Sequence, residues 1–337
     1  MKSHLALYRK YRPETFSDVV GQEHIVTLLT TSIKQKKISH AYLFCGGRGT
    51  GKTTVARIVA KDIGCNPEDI IEIDAASNRG IDEIRALRDA VRTSPFSSPY
   101  KVYIIDEAHM LTKEAANALL KTLEEPPSHV IFILATTDPE KLPQTIVSRC
   151  QKIVFQNPSR ETLALHLMNI ALEEGFKLDN KTALTIASHG KGSFRDSLGI
   201  LEQVISTSGK TIVYEDVTHL LGTPEKEALI ILLGAVCTKN QKTVVETIHV
   251  LSSKTDSLRA YDEFIELVQQ ALYIRIGEGK KGDSKEDTEL IRLASEYPRV
   301  IASKLVLELL SKRHLLEVST SHASLAFTAI LLSLIED

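Results

Sequence analysis

The chain has 337 residues, which at roughly 150 residues per domain predicts two or three domains. Its 43% apolar and 25% charged residues are typical of a folded globular protein and exclude a disordered one. The net charge of -2 excludes overall attraction to nucleic acid, so any DNA contact must come from a local basic patch. No apolar run spans a bilayer, no apolar secretory core follows the N-terminus, and the four cysteines form no C-x-x-C pair. These features predict a reduced, cytoplasmic protein with no membrane segment.

Short apolar runs alternate with helical segments in the first half of the chain. Helices are predicted from the residue after Gly21 to about Gln35 and from about Lys52 to Ile63, and strands at 41–45, 70–73, 102–105 and 130–134. Continuous apolar strands separated by helices indicate a parallel sheet covered on both faces. Residues 1–156 are therefore predicted to form an α/β nucleotide-binding domain.

The strand pattern ends after Asn157-Pro158-Ser159, and helical patterns follow. Residues 157–222 are predicted to form a small helical domain. The Gly222-Thr223-Pro224 step marks the next boundary, after which residues 223–337 form an all-α domain. Inside that domain, the Gly- and charge-rich segment from Gly277 to Glu289 is expected to be a loop.

The strand at 41–45 leads into a sequence of the form G-x-x-x-x-G-K-[ST], which binds nucleotide phosphates when it joins a strand to a helix. Its glycines let the backbone close on a phosphate, and the loop N–H groups donate hydrogen bonds to it. Lys52 is expected to reach the β- and γ-phosphate oxygens, and the Thr53 hydroxyl to complete the shell of a Mg²⁺ ion. The predicted nucleotide-binding residues of this loop are Gly46, Gly47, Gly49, Thr50, Gly51, Lys52, Thr53 and Thr54.

The strand at 102–105 ends in the acidic pair Asp106-Glu107. Because side chains alternate along a strand, the two carboxylates point in different directions. Asp106 is expected to bind Mg²⁺ and Glu107 to orient and deprotonate the attacking water. Such a pair could also favour a helix N-terminus, and Asp106-Glu107-Ala108-His109 spells the DEAH box of helicases.

Three further positions stay open when the residues are considered alone. Thr136 and Thr137 follow the strand at 130–134, where a hydroxyl could contact the γ-phosphate or simply form a turn. Arg149 and Arg195 each lie near the end of an element and could be catalytic cations or surface ion-pair partners.

As a set, these motifs resemble the AAA+ clamp-loader ATPases of bacterial DNA polymerase III, the gamma/tau family. The resemblance is carried by Tyr8–Pro13, Val19–Gln22, the phosphate loop, Glu72–Asn78, Ile105–Leu111, Ala118–Pro127, Ala135–Pro139 and Ser148–Gln151. It implies an AAA+ domain, a helical lid and a helical collar that assembles a five-subunit spiral. It also implies that the chain hydrolyses ATP with Mg²⁺ and, with the other clamp-loader subunits, loads a sliding clamp onto primer-template DNA.

The resemblance assigns further roles residue by residue. Thr137 would be the polar sensor after the fourth strand, with Thr136 as the fallback. Arg195 would reach the γ-phosphate of its own subunit, and Arg149 would be the arginine finger that acts in trans on a neighbouring subunit's ATP. The adenine pocket would be lined by Tyr8, Arg12 and Val20.

Zinc and DNA are two further points on which the family is informative. The family usually inserts a cysteine-ligated zinc module after the first P-loop helix, but here only eight residues separate Cys65 from Asp74 and partner cysteines are missing, so no zinc site is expected. The family also implies a phosphate-following basic stripe. The stripe consists of Arg79, Arg85, Arg88 and Arg92. The alternative is that these arginines do not bind DNA and instead form a solvent-exposed helix face, whose charge is balanced by nearby acidic residues.

Two other functions compete with the clamp-loader motor. A DEAH-type helicase needs a second strand-rich domain with its own arginine finger, and residues 156–337 show no such pattern. A non-catalytic clamp-loader arm, like the family's delta-prime subunit, usually lacks the phosphate loop that Lys52 and Thr53 complete here.

Overall fold

A computed structural model describes residues 5–77, 87, 90–222, 224–278, 285–318 and 322–336. The chain divides into two compact units, residues 1–214 and 215–337. The predicted division into 1–156, 157–222 and 223–337 remains a prediction.

A parallel sheet forms the centre of the first unit. Its described strands are β1 (Ala41–Cys45), β2 (Ile70–Asp74), β3 (Lys101–Asp106), β4 (Val130–Thr136) and β5 (Gln151–Val154), in the order β2-β3-β4-β1-β5. All pairings are parallel, and the register places Cys45 beside Thr136 and Asp74 beside Asp106. The carboxyl ends of the strands therefore lie at one edge of the sheet. The predicted α/β class is confirmed.

The sequence patterns did not indicate β5. Its residues alternate poorly, because Ile153 alone is buried and the other three side chains are exposed. A strand at the edge of a sheet needs little apolar surface, so its sequence carries a weak signal.

Helices cover both faces of this sheet, and successive strand residues divide between them. Phe44 packs with Leu29 and Val59 on one face, whereas Leu43 packs with Leu119 and Leu123 on the other. The described helices of this region are Leu7–Lys10, Glu23–Lys34, Lys52–Asp62, Lys113–Glu124 and Gln144–Val147, with 3-10 turns at Phe16–Asp18, Pro67–Asp69, Ala108–Met110 and Pro139–Lys141.

A helical segment completes the first unit. Its helices Arg160–Glu173, Asn180–His189 and Phe194–Thr207 begin after Ser159, Asp179 and Ser193, whose side chains each accept a hydrogen bond from a backbone N–H of the first turn. The expectation that strands end after Asn157 is wrong in detail. The segments β6 (Lys177–Leu178) and β7 (Thr211–Ile212) form a parallel pair, and strands of two residues are too short to show an alternating pattern.

The second unit is helical where the structure describes it. Tyr261 and Phe264 pack against Phe327 in its core. Its helices, the first of which starts at the last residue of the first unit, are Tyr214–Leu221, Lys226–Cys237, Gln241–Lys254, Ser257–Ile276, Lys285–Glu296, Ser303–Lys312, His314–Val318 and Ala323–Glu336. The predicted loop from Gly277 to Glu289 is wrong over its second part, because a helix with an apolar face starts at Lys285. Within the described ranges, the helices are too short or too polar to cross a bilayer.

Candidate nucleotide site

The phosphate loop joins β1 to the helix Lys52–Asp62 and is packed closely against the segment after β5. A Cβ atom on Gly46 would lie 2.6 Å from the carbonyl oxygen of Phe155, and one on Gly47 would lie 2.5 Å from Oδ1 of Asn157. At Gly46 the neighbouring atom belongs to the backbone, so only glycine fits there, whereas a side chain at Gly47 would require the Asn157 side chain to move. The loop is therefore held in shape by its neighbours as well as by its own backbone.

Lys52 lies over this loop. Its Nζ atom donates hydrogen bonds to the carbonyl oxygens of Gly46 at 2.9 Å and Gly47 at 2.8 Å. Burial lowers the pKa of Lys52, while the nearby charges of Glu107 and Asp106 act in the opposite direction. The ammonium group is thus placed above the loop, where phosphate oxygens can replace the two carbonyl partners.

Thr53 and Asp106 meet at the carboxyl edge of the sheet. The Thr53 hydroxyl donates a hydrogen bond to Oδ2 of Asp106 at 2.7 Å, and Oδ1 accepts one from the backbone N–H of Glu107 at 3.0 Å. A hydroxyl and a carboxylate are hard oxygen ligands of the kind that Mg²⁺ prefers, and the ion usually needs few protein ligands beside substrate phosphates and water. The two residues fit a Mg²⁺ ion.

The Glu107 carboxylate lies beside the end of β4. Its Oε2 atom accepts a hydrogen bond from the Thr137 hydroxyl at 3.3 Å. Thr136 is fully buried instead, and its hydroxyl oxygen contacts Nδ1 of His109 at 3.1 Å and accepts a hydrogen bond from the N–H of Asp138 at 3.0 Å. The structure therefore places Thr137, rather than the fallback Thr136, against Glu107.

A cavity of about 660 Å³ opens next to these groups. It brings together most of the residues that the sequence predicted. From the prediction it is lined by Tyr8, Arg12, Val20, Gly49, Thr50, Gly51, Lys52, Thr53, Thr54, Asp106, Glu107 and Arg195. The other predicted residues of the site do not line it: Gly46, Gly47, Thr137 and Arg149.

Aromatic and basic groups from distant segments meet in this cavity. The Arg195 guanidinium lies 4.9 Å from the ring centroid of Tyr8, in a cation–π arrangement. The Nε atom of Arg12 donates a hydrogen bond to the Thr54 hydroxyl at 3.0 Å. The pKa of Tyr8 is lowered, first by its hydrogen bond with Arg9 and to a smaller extent by the charge of Arg195. The Tyr8 ring can stack on a flat aromatic group, and the guanidinium groups of Arg12 and Arg195 can pair with negative charge on the same ligand.

Several cavity residues were not predicted. Arg57 and Glu72 form a two-point ion pair, with distances of 2.7 Å from Nε to Oε2 and 2.8 Å from Nη2 to Oε1. The spacing of Arg57 four residues after Thr53, on the same helix face, was a usable signal. The unpredicted lining residues include Asp18, Val19, Arg57, Glu72, His166, Phe194 and Leu198.

Arg149 lies away from the cavity of its own chain. Its Nη1 atom donates a hydrogen bond to the carbonyl oxygen of Thr145 at 2.7 Å, and Nη2 contacts the carboxylate of Glu124. The guanidinium is partly exposed and held at two points. A guanidinium that acts in the site of a neighbouring subunit must reach the surface of its own chain, and this one is accessible there.

The predicted DNA stripe falls largely outside the described residues. Arg79, Arg85 and Arg88 lie outside them, whereas Arg92 is described and exposed.

Cys65 is buried, and its thiol donates a hydrogen bond to the carbonyl oxygen of Tyr100 at 3.2 Å. Burial raises its pKa to about 11.

The fold and the loop define a P-loop domain of the AAA+ class. Among solved structures, the chain is similar to the Thermotoga maritima RuvB Holliday junction branch migration motor, with a TM-score of 0.53 and 20% identity over 66% of this chain and 79% of that one. This likeness shows the fold. A family model described as DNA polymerase III, delta subunit, matches residues 21–79 and 66–159.

Curated relatives extend the match into the second unit. The tau subunit of DNA polymerase III from Bacillus subtilis is 39% identical over 96% of this chain and 62% of its own length. The gamma subunit from Buchnera aphidicola (Acyrthosiphon pisum) is 39% identical over 73% of this chain and 74% of its own length. The Escherichia coli K12 tau subunit is 39% identical over 75% of this chain, which spans 42% of that protein. The chain belongs to the gamma/tau family of DNA polymerase III subunits.

Proposed function

We propose that this chain is an ATP-hydrolysing motor subunit of the DNA polymerase III clamp loader. Membership of the gamma/tau family supports this proposal. The observation that carries it is the meeting, at one edge of the sheet, of Lys52 over the phosphate loop, the Thr53–Asp106 pair and the Glu107–Thr137 pair. A chain without catalysis would have no need of all three.

The residues of this edge divide the work of phosphoryl transfer. Lys52 exchanges its loop carbonyls for the β- and γ-phosphate oxygens of ATP. A Mg²⁺ ion held by Thr53 and Asp106 would neutralise charge on the phosphate oxygens. Glu107, held by Thr137, orients the attacking water and accepts its proton.

The cavity beside the phosphate loop takes the nucleoside. Tyr8, Arg12 and Val20 contact the adenine ring, and Arg195 bridges from the helical lid to the γ-phosphate of the same ATP. Arg149 acts in the site of a neighbouring subunit. This explains why the isolated chain should hydrolyse slowly, because an arginine supplied in trans accelerates phosphoryl transfer by roughly 10³–10⁵-fold.

The cytoplasmic assembly we propose has five clamp-loader subunits joined through a helical collar at 223–337, with the lid at 157–222. ATP binding opens the sliding clamp and grips primer-template DNA, and hydrolysis releases the clamp around the duplex. The basic stripe follows the DNA phosphates without reading sequence. Its residues are Arg79, Arg85, Arg88 and Arg92.

The test compares ATPase rates of the chain alone and in a complete mixture of partner subunits, clamp and primed DNA. The mixture should stimulate the wild-type chain, and Lys52→Ala should remove both ATP binding and clamp loading. Arg149→Ala should keep ATP binding but abolish most of the stimulation. Lys61→Ala, on the exposed side of the same helix as Lys52, is the control and should behave as wild type. Absence of stimulation in the complete mixture would contradict the proposal.

A non-catalytic clamp-loader arm is the second candidate, favoured by the family model described as a delta subunit. Clamp loading that survives Lys52→Ala would select it. A helicase is the third, and strand separation on a forked duplex would identify one. In the described residues after 156, the strands are only the pair β6 and β7, which gives no support to a second nucleotide-binding domain.

A further inference from the structure

Glu107 is held in an unusual backbone conformation. Its φ of 48° and ψ of 44° lie in the left-handed region, which non-glycine residues rarely adopt. Its own N–H is bound to Oδ1 of Asp106 at 3.0 Å. Such a conformation persists only where surrounding groups determine it, and it is common at catalytic positions. The groups that fix the Glu107 side chain are therefore of interest.

Two side chains converge on the same oxygen of this carboxylate. Oε2 lies 3.3 Å from the Thr137 hydroxyl and 3.4 Å from Nδ1 of His109. No residue in the described part of the chain donates a hydrogen bond to the other oxygen, Oε1. The carboxylate is thus anchored on one side, and the side that can accept a proton from water is left open.

The His109 ring is itself anchored to the sheet. Its Nδ1 atom lies 3.1 Å from the hydroxyl oxygen of Thr136, which is fully buried at the end of β4. That oxygen also accepts a hydrogen bond from the N–H of Asp138 at 3.0 Å, so its position is fixed by the turn after β4. The His109 side chain is 12% exposed. A short chain of contacts therefore runs from β4 through Thr136 and His109 to Glu107.

We infer that His109 is a positioning residue for Glu107, acting with Thr137 to hold Oε2 so that Oε1 faces the attacking water. This inference rests on the proposed ATPase function. When Nδ1 carries a proton, its single N–H lies between the Thr136 hydroxyl oxygen at 3.1 Å and Oε2 of Glu107 at 3.4 Å, and both oxygens share it. The arrangement follows the general rule that a catalytic base is itself oriented by a third group.

Three substitutions separate this role from simple packing. The amide nitrogen of Asn lies at the same number of bonds from Cβ as Nδ1, whereas that of Gln lies one bond further out. His109→Asn can therefore still donate to Oε2, but His109→Gln and His109→Ala cannot. The three variants, with wild type, are assembled with partner subunits, clamp and primed DNA. The readouts are kcat, the Kd of a fluorescent ATP analogue and the melting temperature.

We expect His109→Ala and His109→Gln to lower kcat by about 10- to 100-fold, since a base displaced by about 1 Å loses up to that factor. His109→Asn should stay within about threefold of wild type, and the analogue Kd should change less than about twofold in all variants. Equal kcat in all four proteins, or equal losses of kcat in the Asn and Gln variants, would overturn this inference and leave the proposed function standing. A loss confined to Kd would also overturn it. A wild-type chain without stimulated hydrolysis would instead overturn the proposed function, and this inference with it.

Discussion

Replacing Gly49 with alanine would place a methyl group on top of the Ser193 hydroxyl. A Cβ atom at this position overlaps Oγ of Ser193 and lies 3.0 Å from its Cβ atom. Gly49 also has a φ of 70°, and its carbonyl oxygen accepts a hydrogen bond from the N–H of Phe194 at 3.0 Å. The substitution therefore strains the phosphate loop and pushes away the start of the helix Phe194–Thr207, which carries Arg195.

Two costs can be estimated. The left-handed conformation costs an alanine roughly 1–2 kcal/mol relative to glycine. Ser193 caps the helix by accepting a hydrogen bond from the N–H of Asp196 at 3.2 Å, and loss of such a cap costs about 1 kcal/mol. The sum is about 2–3 kcal/mol, which corresponds to a roughly 30- to 150-fold larger equilibrium constant for local opening.

Native-state hydrogen exchange of the Phe194 and Asp196 amides measures this opening. Two matched variants separate its causes. Gly51→Ala has a φ of 100° but open space for the new methyl group, so it should show the backbone cost alone. Gly199→Ala lies inside the helix, also in open space, and should stabilise it by about 0.5–1 kcal/mol. If Gly49→Ala protects these amides as well as Gly51→Ala does, the contact with Ser193 has no energetic weight and the reasoning fails.

Two more predictions follow from side-chain contacts. Glu124→Gln should lower the stimulated ATPase rate of the assembly several-fold, because Arg149 loses a charged partner that orients it, while protein stability changes by less than about 1 kcal/mol for such an exposed pair. The neighbouring Glu125→Gln is its control, and equal rates in the two variants would contradict the orienting role. The pKa of Asp179 is lowered by its hydrogen bonds with Thr182, so its contribution to stability is present above about pH 4 and is lost as the pH falls through the lowered value. Asp179→Asn keeps the cap without titrating, and urea unfolding from pH 6 to pH 2 should show a smaller loss of stability for the variant; parallel curves would refute this.

The core of the site could be predicted from the sequence because its signals are local. A strand, a glycine loop and a helix follow one another around Lys52, and an apolar strand ends at Asp106 and Glu107. Parallel strands bring their carboxyl ends to one edge, so these two motifs had to meet. The family resemblance added the roles of residues such as Arg195, which no spacing rule supplies.

Only the tertiary structure decided which distant side chains meet. Tyr8 and Arg195 are far apart in sequence, and their contact depends on how the helical segment packs over the phosphate loop. The sequence also did not predict β5, because a strand at the edge of a sheet buries too little apolar surface to show an alternating apolar pattern. The residue pattern alone also could not separate Thr136 from Thr137, although the family resemblance favoured Thr137. Both are hydroxyls at the end of one strand, and the alternation that sends Thr136 into the core and Thr137 to Glu107 depends on register and on where the strand ends.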